Sequence, residues 1–210
     1  MTPQRLKQIV EAALFAADAP VSSERLLQLF EDHERPARGA LDRVLVELAE
    51  DYAERGIALV EVASGWRVQV RAELAPWVGR LWEERAPRYS RALLETLALI
   101  VYRQPITRGE IEEIRGVSVS TNIIRTLLER EWVRVVGHRD VPGRPALYAT
   151  TRRFLDYFGL RSLNELPPLA EIREPELLFN EELALEAPPQ PHSTSQETAR
   201  AVPEQHNDEE

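Results

Sequence analysis

The stretch LALIVYRQPITRGEIEEI, residues 97–114, decides the fold because a related stretch occurs earlier in the chain. AALFAADAPVSSERLLQL, residues 12–29, aligns with it without a gap at an offset of 85 residues. The aligned pairs include Pro20 with Pro105, Val21 with Ile106, Ser22 with Thr107, Leu26 with Ile111 and Leu29 with Ile114. Two copies so far apart predict tandem domains of one fold rather than a stacked solenoid.

The second copy predicts three helices followed by a β-hairpin. An apolar helix, RALLETLALIVY, should end before Pro105, and Thr107 with Glu110 forms a Thr-x-x-Glu capping box for the next helix. We expect Ile111 and Ile114 of that second helix to face inward. A third helix, from about residue 118 to 130, should bury Ile123, Ile124, Leu127 and Leu128 and leave outside Asn122, Arg125 and Glu129.

The hairpin after the third helix consists of strand-like WVRVV and ALYAT around a Pro-Gly turn. Val141-Pro142-Gly143-Arg144 predicts a type II turn, because proline sets φ at its second position and glycine accepts a positive φ at its third. Three helices and such a hairpin form a winged helix-turn-helix. A closing helix, TTRRFLDYFGL, should end at a cap formed by Gly159 and Leu160.

The first copy predicts the same unit with a longer third helix. Its apolar stripe consists of Leu41, Val44, Leu45, Leu48 and Tyr52. Gly56 is placed to end this helix, and Ser64-Gly65 predicts a two-residue hairpin turn. A linking helix through Trp77, Leu81 and Trp82 should lead to the second domain.

The fold class that follows is mainly α with small β-hairpins, an α+β arrangement of two tandem winged helix-turn-helix domains with a disordered acidic tail. We expect domains at 1–86 and 87–163 and the tail at 164–210. The tail holds 12 acidic and 2 basic residues, a net charge of −10. Because the whole chain has a net charge of −9, the residues before the tail have a net charge of +1. Apart from PELLFNEELAL, residues 175–185, the tail has too few apolar residues to offset the entropy of ordering.

Composition excludes most enzyme chemistry. Lys7 is the only lysine, so a phosphate-binding Gly-x-x-x-x-Gly-Lys loop is missing. There is no cysteine, and the four histidines lie apart: His33, His138, His192 and His206. We therefore expect no enzyme, no catalytic residue, no cofactor and no metal site. No apolar run approaches a membrane span, so we expect a cytoplasmic protein without membrane contact.

The four tryptophans could stack on single-stranded nucleic acid, but each stands beside aliphatic residues, which favours packing in a core or interface. They are Trp66, Trp77, Trp82 and Trp132. DNA binding by the second domain is the stronger alternative, because residues 88–161 hold 13 arginines against 8 acids. However, Glu129, Glu112 and Glu113 interrupt any basic stripe along its helices. A dimeric winged-helix transcription regulator remains the alternative function.

We expect a partner to bind in the groove between the third helix and the wing of the second domain. The side chains expected at its rim are Asn122, Arg125, Arg139 and Arg144. The residues expected to act structurally are Pro105, Thr107, Pro142 and Gly143.

Five stretches resemble the segregation and condensation protein B family of tandem winged-helix proteins. They are YRQPITRGEIEEIRGV, VPGRPALYATT and FLDYFGLRSLNELPPL in the second domain, and IVEAALFAADAPVS and LAPWVGRLWEE in the first. The resemblance covers roughly residues 4 to 170 and does not include the tail. Within it, Ala149 stands where the family suggests glycine, and Glu131 stands where many members have a small residue.

The resemblance implies a non-enzymatic homodimer that pairs through its first domains. Such a dimer binds a kleisin subunit, ScpA, which bridges the heads of an SMC ATPase, and the assembly condenses and partitions the chromosome for cell division. The implied location is the nucleoid, with at most weak, non-specific DNA contact. The residues that match the family's motifs are Pro105, Ile106, Thr107, Glu113, Arg115, Gly116, Pro142, Gly143, Arg144 and Tyr148.

Overall fold

The structure is a computed structural model that describes residues 1–81 and 89–168. The first unit contains α1 (Pro3–Ala16), α2 (Ser23–Leu27), α3 (Arg38–Asp51), β1 (Ile57–Val62) and β2 (Gly65–Val70), followed by the short α4 (Ala75–Val78). The second contains α5 (Arg91–Arg103), β3 (Ile106–Thr107), α6 (Arg108–Arg115), α7 (Thr121–Glu129), β4 (Val133–His138), β5 (Ala146–Thr150) and α8 (Arg152–Tyr157). Each unit has three helices and then a hairpin, so the predicted tandem winged-helix architecture is confirmed.

The sheets show that the repeat extends to strand pairing. In the second unit, β3 pairs with β5, and β5 pairs with β4, so the order is β3-β5-β4. In the first unit, Val21 exchanges two backbone hydrogen bonds of 2.9 Å with Trp66 of β2. Val21 aligns with Ile106 of β3. In both units, the residues just before the second helix therefore pair with the hairpin. They are a single residue, Val21, in the first unit and the short strand β3 in the second.

The hairpin turn of the first unit lies one residue earlier than predicted. Val62 pairs with Gly65, so the two loop residues are Ala63 and Ser64 and not Ser64 and Gly65. Gly65 has φ 141°, and a Cβ there would lie 2.3 Å from the carbonyl oxygen of Val21. Glycine is needed at this position because the backbone of Val21 approaches the strand directly.

The first core forms where α1 packs against α3. The predicted α3 stripe is confirmed, since all five of its residues are at most 4% exposed: Leu41, Val44, Leu45, Leu48 and Tyr52. The prediction that Gly56 ends this helix was wrong, because α3 ends at Asp51 with Tyr52 in a right-handed conformation. Gly56 instead lies against Leu74, whose Cδ1 would be 2.9 Å from an added Cβ.

The second core contains an aromatic cluster around Trp132, which is 2% exposed. Its indole ring lies 5.0 Å from Tyr89, 4.7 Å from Tyr157 and 5.2 Å from Phe158, measured between ring centroids. Tilted contacts of this kind add to the free energy of burying the rings. The cluster joins the start of the hairpin to the closing helix α8.

The two isoleucines of the short helix α6 differ in their exposure to solvent. Ile111 is fully buried as predicted, but Ile114 is 53% exposed, so the prediction that it faces inward was wrong. Three residues after Ile111, a side chain lies about 60° round the helix, and at the end of a two-turn helix this turns it to solvent. Leu29, the aligned residue of the first copy, is exposed to 52% as well.

Both α7 and α8 end in a Schellman motif. In α8, Gly159 has φ 68° and the N–H of Leu160 donates to the carbonyl of Leu155 at 2.8 Å. In α7, Glu131 takes the left-handed place with φ 55°, and the N–H of Trp132 donates to the carbonyl of Leu127 at 3.1 Å. Glu131, which departs from the family pattern, therefore occupies a backbone position that favours glycine.

The link between the units is not the single helix that was predicted. Up to Leu81 it consists of 3₁₀ turns at Ala72–Leu74 and Gly79–Leu81 on either side of α4, and Trp82 lies outside the described residues. The turn of the first hairpin contacts the end of α8, where the N–H of Ala63 donates to the carbonyl of Leu160 at 2.9 Å.

At the other end, Leu163–Glu165 form a 3₁₀ turn, and Leu163 and Leu166 pack against the second core. The apolar stretch 175–185 of the tail lies outside the described residues.

Candidate partner-binding face

The motif Gln104-Pro105-Ile106-Thr107 joins α5 to the sheet of the second unit. The Gln104–Pro105 peptide bond is cis. The Gln104 side-chain oxygen accepts hydrogen bonds from Thr150, at 2.7 Å from its N–H and 2.9 Å from its hydroxyl. Gln104 was not among the residues predicted from the sequence. Its amide side chain directly before Pro105, within a motif that matches the family, was a signal that could have identified it. It holds the end of α5 against β5.

The predicted capping box at the start of α6 is present and includes one further residue. The N–H and the hydroxyl of Thr107 each donate to the Glu110 carboxylate at 2.9 Å, and the N–H of Glu110 donates back to the hydroxyl at 3.3 Å. Arg139 from the wing makes an ion pair with the same carboxylate at 2.9 Å. The Thr107 N–H, the Thr107 hydroxyl and Arg139 together hold the pKa of Glu110 below its usual value.

On α7, Asn122 and Arg125 lie together on the exposed side. The Arg125 guanidinium donates to the Asn122 side-chain oxygen at 2.5 Å and lies 3.7 Å from the Glu129 carboxylate. Because both the arginine and Glu129 are 67% exposed, the ion pair contributes little to stability. Asn122, Arg125 and Glu129 form what we call the α7 row. They can exchange these contacts for contacts with another molecule at a small cost in free energy.

Arg144 lies at the tip of the wing. Its N–H donates to the carbonyl of Val141 at 2.8 Å and Gly143 has φ 84°, which agrees with the predicted type II turn. Arg144 itself has φ 37°. Within residues 1–81 and 89–168, its guanidinium makes no hydrogen bond or ion pair.

The four residues predicted to bind a partner thus occupy three places. Asn122 and Arg125 touch each other on α7, Arg139 is held by Glu110 of α6, and Arg144 extends from the wing. Among the described residues, no contact links the α7 pair to either wing arginine. Their role in binding stays a prediction, with Arg139 committed to a bond inside the domain.

Other motif residues have structural roles in this geometry. Arg115, whose side chain is 10% exposed, donates to Glu95 at 2.9 Å, and Arg91 donates to the same carboxylate at 2.9 Å. These two arginines hold the pKa of Glu95 below its usual value. Gly116, with φ 69°, ends α6 in a left-handed conformation.

Glu112 fastens the turn between α6 and α7. Its carboxylate accepts from the N–H of Val119 at 2.8 Å and from Arg108 at 2.9 Å. These hydrogen bonds lower the pKa of Glu112 from its usual value. Glu112 therefore has a structural role in this turn, whereas Glu113 beside it is exposed.

The tryptophans divide between core and surface. Trp132 is buried and Trp66 packs partly against the first core, as predicted. Trp77 is 64% exposed, so it is no core residue in this chain, and a place for it in an interface stays a prediction.

Residues 1–81 and 89–168 contain no group of three or more histidine or acidic side chains placed to hold a metal ion. In the same residues, no helix has the length and apolar character needed to cross a membrane.

Two winged-helix units in tandem, the second of them rich in arginine, place the chain in the class of tandem winged-helix proteins. The profile described as "Segregation and condensation complex subunit ScpB" matches residues 8–169. The chain belongs to the ScpB family. The match spans both winged-helix units, and the family is named for a subunit of a complex rather than for an enzyme.

The relatives agree with this assignment. The segregation and condensation protein B homolog of Coxiella burnetii is 59% identical over 182 residues, which cover 85% of this chain and 87% of that protein. Segregation and condensation protein B of Syntrophotalea carbinolica is 50% identical over 176 residues, covering 83% and 87%. A solved dimer of the ScpB N-terminal domain, complexed with ScpA peptide, is 32% identical, with a TM-score of 0.32, covering 39% of this chain and 92% of that one.

Proposed function

We propose that this chain is a non-enzymatic subunit of a bacterial SMC-kleisin complex that condenses and partitions the chromosome for cell division. It acts as a homodimer that binds the kleisin subunit ScpA, and it reaches the SMC ATPase through that kleisin. Family membership across both winged-helix units is the observation that carries this proposal. A subunit with this role works at the nucleoid, in the cytoplasm.

Residues 1–86 form the dimerisation domain in this proposal. The large apolar side chains that the first unit leaves exposed support it: Phe15, Leu29, Val46, Trp77 and Leu81. A small domain buries a modest fraction of its surface, and apolar residues that stay outside favour a partner. The tandem unit at 87–163 is then free to contact the kleisin.

Light scattering after size exclusion tests the dimer. The full chain should have twice its 24.0 kDa mass, and Trp77→Glu should shift it towards monomer. Val141→Glu is the matched control, because Val141 is an exposed apolar residue on the wing and should leave the mass unchanged. A monomeric full chain at micromolar concentration would contradict the proposal.

The α7 row and the wing form the kleisin-binding face in this proposal. An arriving segment can replace the weak Asn122 and Glu129 contacts of Arg125, and within the described residues the Arg144 guanidinium has no hydrogen bond or ion pair to lose. By calorimetry with full-length ScpA, Arg125→Glu should weaken binding by about tenfold or more, which is 1.4 kcal/mol. Arg103→Glu, the same charge change on the exposed end of α5, should have little effect.

Truncation separates this face from the tail. A chain ending at Pro168 should bind ScpA as the full chain does. Unchanged binding by Arg125→Glu, together with loss of binding on truncation, would place the kleisin contact in the tail and overturn the proposed face.

The second candidate function is a winged-helix transcription regulator, favoured by the 13 arginines between residues 88 and 161. Many of them already pair with glutamates inside the domain, as Arg108 and Arg115 do, which leaves fewer to meet phosphates. DNA binding should therefore be weak, indifferent to sequence and steeply lost between about 50 and about 200 mM salt. A sequence-selective footprint at physiological salt would favour the regulator.

A further inference from the structure

The second unit has another basic surface, at the end of β4 that is distant from the wing tip. A cavity of about 540 Å³ lies there. It is lined by Leu128, Glu131, Val133, Arg134, Val135, Thr151, Arg152 and Arg153. None of the predicted partner-binding residues lines this cavity.

Positive charge at this cavity is left without an internal partner. Arg153 is paired with Glu131 at 2.6 Å. Arg134 and Arg152 are exposed, and within the described part of the chain neither side chain makes an ion pair or a hydrogen bond. Among the described residues, the cavity therefore carries two positive charges without a matching acid.

The backbone and apolar groups beside these arginines are open as well. β4 is an outer strand of the β3-β5-β4 sheet, so one of its edges has no paired strand among the described residues. Val135 and Val136 on this strand are each 43% exposed. A bulge between Val135 and Gly137 limits the regular edge to Val133–Val135. The surface suits a short acidic segment that also carries apolar side chains.

The chain contains a segment of this kind. Residues 175–185 hold three glutamates and no basic residue, and Leu177, Leu178 and Phe179 stand among them. Opposite charge and matching apolar groups make this segment complementary to the cavity.

The described chain ends against α5, which also contacts β5, the strand paired with β4. The carbonyl of Pro167 accepts from the Tyr102 hydroxyl at 2.7 Å. Two residues beyond Tyr102, Gln104 binds Thr150, which pairs with Val133 at the cavity. The seven residue steps from Pro168 to Pro175 can span up to about 24 Å, so they give the acidic segment a tether of that length towards β4 of its own chain.

We propose that residues 175–185 dock in this cavity of the same chain, with their glutamates against Arg134 and Arg152 and their apolar side chains over Val135. A short tether gives such a segment a millimolar effective concentration, so modest intrinsic affinity suffices. Docking covers the open edge of β4 and protects it from pairing with another chain.

Hydrogen exchange measured by mass spectrometry on the full chain and on a chain ending at Pro168 tests the proposal. Exchange at residues 131–137 should be slower in the full chain, by about tenfold for a tethered segment at millimolar effective concentration. A synthetic peptide of residues 171–186, added to the shortened chain, should restore the protection. Added salt should weaken it.

Two charge-reversed variants of the full chain provide the matched comparison. Arg134→Glu with Arg152→Glu should give the fast exchange of the shortened chain. Arg103→Glu with Arg144→Glu alters two other exposed arginines that have no ion pair within the described residues. It gives the same net charge and should exchange as the wild type does. Melting temperatures of both variants control for folding.

Three outcomes would overturn the proposal. They are equal exchange with and without the tail, equal loss of protection in the two double variants, and protection that rises with protein concentration. The last would show that the occupant is the tail of a second copy. Loss of protection on truncation, with the proposed kleisin binding unaffected, would support docking independently of the proposed function.

Discussion

The two winged-helix units have the same order of elements but different surfaces. Residues 1–86 carry 11 basic and 15 acidic residues, while residues 87–163 carry 13 basic and 8 acidic ones. Among the described residues, the first unit exposes two large aromatic side chains, Phe15 and Trp77, whereas the large apolar side chains that the second exposes are aliphatic. The second also carries pairs of arginine and glutamate on its surface. One backbone plan therefore serves an acidic unit with exposed aromatic rings and a basic unit rich in ion pairs.

The residues that align between the copies show why this is possible. Val21 and Ile106 supply the third strand, and Ser22 and Thr107 cap the second helix. These positions have the same function in both units because the turn, the cap and the strand pairing define the fold. Surface positions are not constrained in this way, so they can diverge to meet different partners.

The largest contrast between the units should come from their tryptophans. Trp132→Ala should reduce the free energy of unfolding by about 3–5 kcal/mol, because it empties the centre of the aromatic cluster. Trp77→Ala removes an exposed ring and should cost less than about 0.5 kcal/mol, while weakening the dimer. Urea denaturation followed by circular dichroism measures both, and Trp132→Phe should cost less than Trp132→Ala. Equal losses for the two alanine variants would contradict the assignment of Trp77 to a surface.

The two hairpin glycines should differ next. An added Cβ at Gly65 would meet the carbonyl of Val21, whereas nothing lies within 4 Å of one at Gly143. Gly65→Ala should therefore cost about 3 kcal/mol or more, from backbone strain and the clash together. Gly143→Ala should cost only about 1–2 kcal/mol, the penalty of a left-handed residue. Melting curves of the two variants check the order, and a larger loss at Gly143 would show that the wing has a packing role.

The ends of the third helices offer a substitution that stabilises. Tyr52 and Arg130, the C-caps of α3 and α7, are both right-handed, but Glu131, the residue after Arg130, has φ 55°. Glu131→Gly should stabilise the chain by about 0.5–1 kcal/mol, because glycine removes the left-handed strain and the lost surface ion pair with Arg153 is weak. Chemical denaturation measures the gain. Glu129→Gly, the same replacement at the last residue of α7, is the control and should cost about 0.5–1 kcal/mol.

The smallest predicted effect is a dependence on pH that belongs to the second unit. The pKa of Glu95 is lowered by Arg91 and Arg115, so its contribution is present above the unfolded pKa, near 4.5, and is lost as pH falls through the lower folded value. Glu95→Gln should cost about 0.5–1 kcal/mol at neutral pH, and this cost should shrink as pH falls below 4.5. Melting temperatures across this range decide it. A variant whose deficit grows on acidification would show the opposite sign of the shift.

The deviations from the predicted structure occur where local signals were read without their tertiary neighbours. A glycine after a predicted helix is typical of a helix end. Gly56 instead lies where Leu74 packs against the backbone and leaves no room for a Cβ. Ile114 continues an apolar pattern, but α6 turns it to solvent at its last turn. The loop of the first hairpin was displaced by one residue because Gly65 is required by the strand from Val21, not by the turn.

The sequence by itself determined the tandem winged-helix fold, the family, the capping box at Thr107 and the type II turn at Gly143. These features depend on residues close together in the chain, or on a repeat visible in it. Only the tertiary structure decided which arginine side chains form ion pairs and which have no acidic partner among the described residues. Arg139 meets Glu110 across 29 positions of sequence, while Arg134 and Arg152 meet no acid in the described part of the chain. Ion pairing depends on how the hairpin lies against α6 and α8, and this placement is set by the packing of the whole domain.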